Sequence, residues 1–302
     1  MNKTFDSIII GGGVSGLTAA IYLLRNKKSV LIIEKETIGG QISNSPRVEN
    51  FPTINAISGP ELSDRMFEQV SSLGAEFDMD EVINVKKEND LFYVKTKYSE
   101  YVGKTLLIAN GVTHRLLKLE NEEKFIGKGI SFCALCDGPF IAGKEGHIIG
   151  DANTAMQYAL LLTDYCTKVH IYTLFGKFFG EKDLIEKVNN NDKIIIHHKY
   201  ELKAYLGEDK LNGLLFTNLN TNQEEKVDTE NVFLCVGKVP TNEIFAEFVD
   251  LEKGYILTDD NMATRTSGVY ASGDTRKKDV RQLITACSDG AIAALSIIKY
   301  LS

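Results

Sequence analysis

The chain of 302 residues has no tryptophan, and only five each of cysteine, proline and methionine. Five cysteines are too few to staple a chain of this length, so a secreted disulfide scaffold is excluded. Zinc would need a second pair of ligands, and Cys166, Cys235 and Cys287 stand alone, so no metal site is expected. Positive charge is also short. Lys and Arg number 34 against 41 Asp and Glu, a net charge of -7, which gives a nucleic-acid role no electrostatic footing. An acidic partner would have to meet a local basic patch. No apolar run reaches the roughly 20 residues that span a bilayer, and the stretch Ala291 to Ile298 is short and broken by Ser296. The start, MNKTFDSIII, passes from a polar tip straight into an apolar strand, with no charged leader or cleavage site. A soluble, cytoplasmic protein of two ordinary domains is expected.

In a reducing compartment, a CxxC pair is more often catalytic or metal-binding than structural. SFCALCDGPF, Ser131 to Phe140, brings Cys133 and Cys136 close enough to close a small disulfide ring, with Asp137 next in line. A dithiol can hold two electrons, and an adjacent carboxyl can exchange the proton that thiol chemistry requires.

Near the N-terminus, the β-branched run Asp6 to Ile10 meets GGGVSG, then a helical stretch Leu17 to Arg25 and a strand Val30 to Ile33 ending at Glu34. Gly11, Gly13 and Gly16 fit GxGxxG. The first allows the tight turn, the second lets the backbone approach a pyrophosphate, and the third lets helix pack on sheet. Glu34 follows about 20 residues on, where a carboxylate can bind ribose hydroxyls. The alternative is a glycine-rich turn without function. A loop from Gly39 to Gly59 then leads to an amphipathic helix, Pro60 to Leu73, whose apolar stripe reads as core. Short strands at Glu81–Val85, Leu91–Thr96 and Glu100–Val102 suggest an antiparallel insertion, and Thr105–Ala109 a further buried strand.

A second strand, turn and helix unit follows the CxxC: Gly146–Ile149, then GDANTA, a helix Thr154–Thr163 and a strand Lys168–Tyr172. Its fingerprint is damaged. Gly150 is present, but Ala152 holds the second glycine place and Ala155 the third; a Cβ at the second crowds a pyrophosphate. The strand ends in TLFGKFF, Thr173 to Phe179, with no acid for a ribose and no arginine pair for a 2′-phosphate. Further on, Val232–Val236 and Val269–Ala271 read as strands, the latter ending at Gly273 and Asp274, and Gln282–Tyr300 as a helix.

Taken together, GGGVSG, IGGQ at Ile38 to Gln41, VENFP at Val48 to Pro52, SFCALCDG, and ASGD with RQL between Ala271 and Leu283 resemble the low-molecular-weight thioredoxin reductases, over nearly the whole chain. The resemblance implies an α/β fold of two Rossmann-like three-layer domains, the second inserted in the first. Residues 1–113 with 243–302 would bind FAD, and residues 114–242 would carry the CxxC and the degenerate nucleotide motif. It also implies FAD contacts at Gly11, Gly13, Ser15, Gly16, Glu34, Gly40, Gln41, Asn50, Gly111, Gly273, Asp274, Arg281 and Gln282, and a homodimer. By position, Cys136 resembles the thiol nearest the flavin, Cys133 the thiol that attacks the partner disulfide, and Asp137 the acid that handles its proton.

The departures at Ala152 and at Thr173, Leu174, Phe175 and Phe179 resemble the ferredoxin-dependent flavin thioredoxin reductases, with Lys177 the one cation left for a 2′-phosphate. Thioredoxin would then be the acceptor and ferredoxin the donor. Ferredoxins are acidic, so Arg276, Lys277, Lys278 and Arg281, with His114, Arg115 and Lys118, form a candidate docking patch. Three other readings stay open: an NAD(P)H-dependent reductase with an unfamiliar nucleotide site, a dithiol oxidase running the electrons toward oxygen, and a flavin redox sensor without turnover.

Overall fold

The computed structural model describes residues 3–45 and 47–302. Met1 and Asn2 of the expected polar tip, and Pro46 of the expected loop, lie outside the described residues. The chain divides into two compact units, one of Met1–Thr113 with Val239–Ser302, the other of His114–Lys238.

In the first unit the run TFDSIII forms the strand Thr4–Ile10, with Ile8 and Ile9 wholly buried. An unbroken apolar run, rather than an alternating one, marks a strand covered on both faces. It pairs in parallel with Val30–Glu34 on one side and Glu100–Ile108 on the other. The expected strands at Glu100–Val102 and Thr105–Ala109 are thus one strand of nine residues. Its first half pairs antiparallel with Leu91–Thr96, and its last residues pair in parallel with Val269–Ala271. The C-terminal segment therefore returns to the N-terminal sheet. One sheet face packs on the helices Val14–Arg25 and Leu283–Tyr300 through Ile9, Leu17, Leu107, Ala293 and Ile297. The other meets the hairpin Val82–Glu88 and Leu91–Thr96 through Phe5, Ile8, Val85 and Phe92.

The terminal helix, Leu283–Tyr300, agrees with the expected Gln282–Tyr300 to within one residue. Its 18 residues have a mean hydropathy of 1.3, enough in length and composition alone to cross a membrane. One face is nevertheless core, with Ala286, Gly290, Ala293 and Ala294 buried, and a Cβ at Gly290 would run into the Ser15 carbonyl oxygen. Small residues on that face let it lie close against Val14–Arg25.

The second unit holds five parallel strands, in the order Ile194–His198, Lys168–Thr173, Glu145–Ile149, Val232–Leu234 and Ile130–Ser131. The helices Asn153–Leu162 and Lys182–Asn189 cover one face. An antiparallel sheet of Tyr200–Gly207, Leu211–Asn218 and Gln223–Asp228, absent from the sequence expectations, covers the other through Leu202, Leu214 and Phe216. Both units are thus layered α/β structures, the first on a mixed sheet and the second on a parallel one.

Candidate functional site

The GxGxxG turn is forced into shape by its own glycines. Gly11 has φ +110°, and a Cβ there would strike the Ala109 carbonyl; one at Gly16 would overlap the Gly11 carbonyl oxygen. Both sites therefore exclude any side chain. Gly13 caps the helix Val14–Arg25 with no side chain satisfying its first amides and no acid in its first turn. Those amides and the positive end of the helix dipole suit a pyrophosphate.

Around this turn the expected contacts converge within the first unit. Glu34 is nearly buried, accepting Gly12 N–H at 2.7 Å and Glu36 N–H at 2.8 Å, so each oxygen keeps a lone pair for a ribose hydroxyl. Gly40 lies beside Gly13, and Gln41 Nε2 donates to the Val112 carbonyl at 3.1 Å. Ser15 Oγ donates to Ser272 Oγ at 2.8 Å, fastening the N-terminal turn to the returning segment. Gly273 sits against the same serine at φ +80°, where a Cβ would lie 2.9 Å from Ser15 Cβ. Among the described residues no hydrogen-bond donor reaches the buried Asp274 Oδ1, and the Lys278 ammonium stands 3.5 Å away. Arg281 Nε donates to the Asp274 carbonyl, and Asn50 Nδ2 to Gln282 Oε1, the cap of the terminal helix. Gly111 turns at φ +63° with open space where a side chain would be. An uncapped helix start, a ribose-ready carboxylate and an orphaned buried oxygen fit the pyrophosphate, ribose and hydroxyl groups of FAD.

The second glycine turn differs in chemistry more than in path. Gly150 is pressed against Cys235, leaving no room for a side chain, and Ala152 stands at the N-cap of Asn153–Leu162. Between them Asp151 carries a carboxylate that no motif had singled out, and burial holds its pKa above the ordinary carboxylate range. The loop after Lys168–Thr173 folds back here. Phe179 N–H donates to the Asp151 carbonyl at 2.7 Å, and Glu181 N–H to Asn153 Oδ1 at 2.9 Å. Thr173 Oγ is spent on the Phe175 carbonyl, and Lys177 lies over the Phe179 ring. Leu174, Phe175 and Phe179 are about half exposed and present no cation of their own.

Cys133 and Cys136 are joined as a disulfide, with Cα atoms 5.3 Å apart, at the start of the helical turn Ala134–Asp137. Cys136 N–H points at Cys133 Sγ at 3.1 Å, so a thiolate formed there meets a ready donor. Asp137 is fixed by Ser131 Oγ at 2.6 Å. The turn rests on the helix Asn153–Leu162: Tyr158 OH donates to the Phe132 carbonyl, and Gly138 leaves only 3.0 Å between an added Cβ and Leu162. A glycine-turn cradle, with a CxxCD turn on a second unit of the same design, is the layout of a disulfide reductase.

The chain belongs to the pyridine nucleotide-disulphide oxidoreductase family. The family's pattern matches residues 5–290. A Clostridium pasteurianum protein described as a 34.2 kDa protein in a rubredoxin operon is 38% identical over 99% of this chain and 98% of its own length. Thioredoxin reductase from Lactococcus lactis superposes with a TM-score of 0.93 at 34% identity, over 98% of this chain and 99% of that one. A ferredoxin-flavin thioredoxin reductase from Clostridium acetobutylicum matches at 25% identity and a TM-score of 0.54, over 99% and 98% of the two chains. Within the family this chain is a flavin-dependent disulfide reductase of the thioredoxin reductase type, and FAD is its cofactor.

The residues of the expected docking patch make contacts within the chain. Of the basic cluster, Lys278 and Arg276 are largely buried and share Asp289, at 2.9 Å each. Lys277 pairs with Glu252, and the Arg281 guanidinium lies 4.1 Å over the Tyr255 ring. Asp289 also accepts Gly273 N–H, so Arg276 and Lys278 brace the returning turn. In the other unit, His114 stacks on Phe132 at 4.7 Å, and the Arg115 and Lys118 amides are tied to Gly237 and Glu122.

Proposed function

We propose that this protein reduces the disulfide of thioredoxin through Cys133 and Cys136, drawing its electrons from reduced ferredoxin. The second glycine turn carries the choice of donor. A dinucleotide docking there would bring its pyrophosphate against the Asp151 carboxylate and the Ala152 methyl, and its 2′-phosphate against Leu174, Phe175 and Phe179. Like charge and missing guanidinium groups oppose a nicotinamide nucleotide. The Clostridium acetobutylicum relative supplies the precedent for ferredoxin in this fold. FAD, when bound, accepts electrons singly and delivers them in pairs, which suits a one-electron donor and a disulfide acceptor.

The protein's residues do the rest. Once reduced, Cys133 thiolate is stabilised by Cys136 N–H and attacks one sulfur of the partner disulfide. The second partner sulfur leaves with the electron pair and takes a proton by way of Asp137. Cys136 thiolate then displaces the first sulfur, restoring the Cys133–Cys136 bond and releasing reduced thioredoxin. We place this work in the reducing cytoplasm, in a homodimer that would cover the exposed Ile284 and Leu295 of the terminal helix.

Anaerobic mixing of the FAD-loaded protein with NADPH, NADH and reduced ferredoxin, followed at the flavin absorbance, is the test. Bleaching by ferredoxin alone is expected. Rapid bleaching by either nucleotide would replace the donor with a nicotinamide, the second reading that the family's own description favours.

A further inference from the structure

Ser131 lies on the short strand Ile130–Ser131, held in register opposite Phe233, so its main chain is anchored to the parallel sheet. Its hydroxyl does two things at once. It accepts the Cys133 N–H at 3.0 Å and donates to Asp137 Oδ2 at 2.6 Å. With a lone pair engaged by that amide, the hydroxyl proton is directed toward Asp137; its other acceptor, the Cys133 carbonyl, is farther at 3.4 Å. The Asp137 amide is bound to the same carbonyl at 3.0 Å. One small side chain thus ties the first redox cysteine to the carboxyl group through a short, charge-assisted bond, on a rigid strand.

We propose that Ser131 is a positioning residue for disulfide exchange, holding the Asp137 carboxyl where it can hand a proton to the departing sulfur. The proposal rests on the reading of this turn as a turnover centre. In each exchange two thiol protons leave this protein and two arrive on the acceptor, as its disulfide is broken and the Cys133–Cys136 bond is made. Asp137 takes up one proton and gives up one at a time. A carboxyl free to rotate would deliver it less often, and the loss would show only when the leaving sulfur needs a proton.

That dependence separates positioning from mere scaffolding. The holoenzyme is pre-reduced, freed of reductant, and mixed with either of two small disulfides. One is aliphatic, hydroxyethyl disulfide, whose thiolate is strongly basic. The other is aromatic and nitro-substituted, and its thiolate departs without a proton. This single turnover needs neither thioredoxin nor an electron donor. For Ser131→Ala we expect about a tenfold slower exchange with the aliphatic disulfide, a modest part of what a positioned acid contributes, and a change within about twofold with the aromatic one. Ser131→Thr, which keeps the hydroxyl and suits a strand, should restore the aliphatic rate, and Ser131→Ala added to Asp137→Asn should cost nothing more.

Equal losses on both disulfides, multiplicative losses in the double variant, or no loss at all would overturn the proposal. If Ser131→Ala fails to fold, normal aliphatic exchange by Ser131→Thr beside slow exchange by its isostere Ser131→Val supports the same role, and equal rates for these two variants overturn it. Separately, wild-type protein that exchanges with small disulfides but never turns over thioredoxin would sink the thioredoxin reading while leaving the role of Ser131 standing.

Discussion

Buried imidazoles, His147 foremost, should make this protein less stable in acid. His147, on the strand Glu145–Ile149, is almost completely buried, and its ring is stacked 5.0 Å from that of His170 on the neighbouring strand. His170 Nδ1 lies 3.0 Å from His197 Nε2, and Tyr172 OH 3.4 Å from His147 Nδ1. Glu145 stands 3.4 Å from His170, Lys168 begins the same strand as His170, and Tyr200 and Glu225 close the far side from the antiparallel sheet. Burial, followed by the charges that His170 and His197 would carry, pushes His147 down to about 3. In the folded state it stays neutral, whereas in the unfolded chain it takes a proton near pH 6.5. The unfolded state therefore binds more protons, and stability is lost as pH falls from about 6.5 toward 3. At pH 5 the loss is about 2 kcal/mol, rising to about 5 kcal/mol at the lower limit. His170 and His197 are lowered too and act in the same direction. The assay is urea unfolding of the holoenzyme by circular dichroism, because a chain without tryptophan offers little intrinsic fluorescence. Carboxylates also contribute to acid unfolding, so the comparison is with His147→Leu, which removes the titrating ring but keeps an apolar side chain. Between pH 7.5 and 5 the variant should lose about 2 kcal/mol less than the wild type. Identical losses would refute the argument.

Other outcomes follow from the same geometry. Gly16→Ala, which drives a methyl into the Gly11 carbonyl, should yield a folded protein that purifies without flavin absorbance. Asp289→Asn leaves Lys278 and Arg276 buried without their shared counter-charge and should destabilise the holoenzyme by about 3 kcal/mol in thermal or urea unfolding. Cys136→Ser should trap a mixed disulfide between Cys133 and a thioredoxin lacking its resolving cysteine, visible on a non-reducing gel; trapping by Cys133→Ser instead would reverse the assignment of the two sulfurs. Asp151→Gly with Ala152→Gly alone should leave NADPH unable to bleach the flavin, since Phe175 and Phe179 still offer no charge to a 2′-phosphate, and measurable bleaching would refute that account.

The legible parts of this fold are those written in short-range pattern. A β-branched run ending in glycines, a helix and a terminal acid lie within one stretch of chain, so Thr4 to Glu34 can be read directly. The nine-residue strand Glu100–Ile108 reads as two because Gly103 and Lys104 interrupt its apolar run, and only its three different partners show it to be continuous. The pairing of the basic cluster is hidden for a related reason. Arg276, Lys277 and Lys278 look solvated beside one another, but Asp289 lies in the helix that follows and Glu252 on the earlier short strand Leu251–Glu252, and neutralisation across such separations has no local signature. Ser131 stands only six residues before Asp137, yet nothing in the sequence says which way its hydroxyl turns. Asp151 is legible to anyone who asks what sits inside the glycine turn, not merely which glycines are missing.

On the proposed reading, a nucleotide-type unit that holds no nucleotide calls for a reason to persist, and the redox turn supplies one. The helix Asn153–Leu162 that follows the damaged fingerprint is the floor on which the CxxC stands, through Tyr158 OH on the Phe132 carbonyl and Leu162 beneath Gly138. Gly150 still admits no side chain, because a Cβ there would strike the Cys235 carbonyl whether or not a pyrophosphate is present. Ala155, at the third place, is wholly buried. Of the two glycine places that carry a methyl group, Ala155 fills the core, whereas Ala152 stands where a phosphate would have to approach, with a carboxylate beside it at Asp151. The constraints that build the helix and the constraint that binds the nucleotide fall on different residues of the same six-residue turn. Loss of the second therefore leaves the dithiol platform intact, and a change of electron donor requires no change of fold.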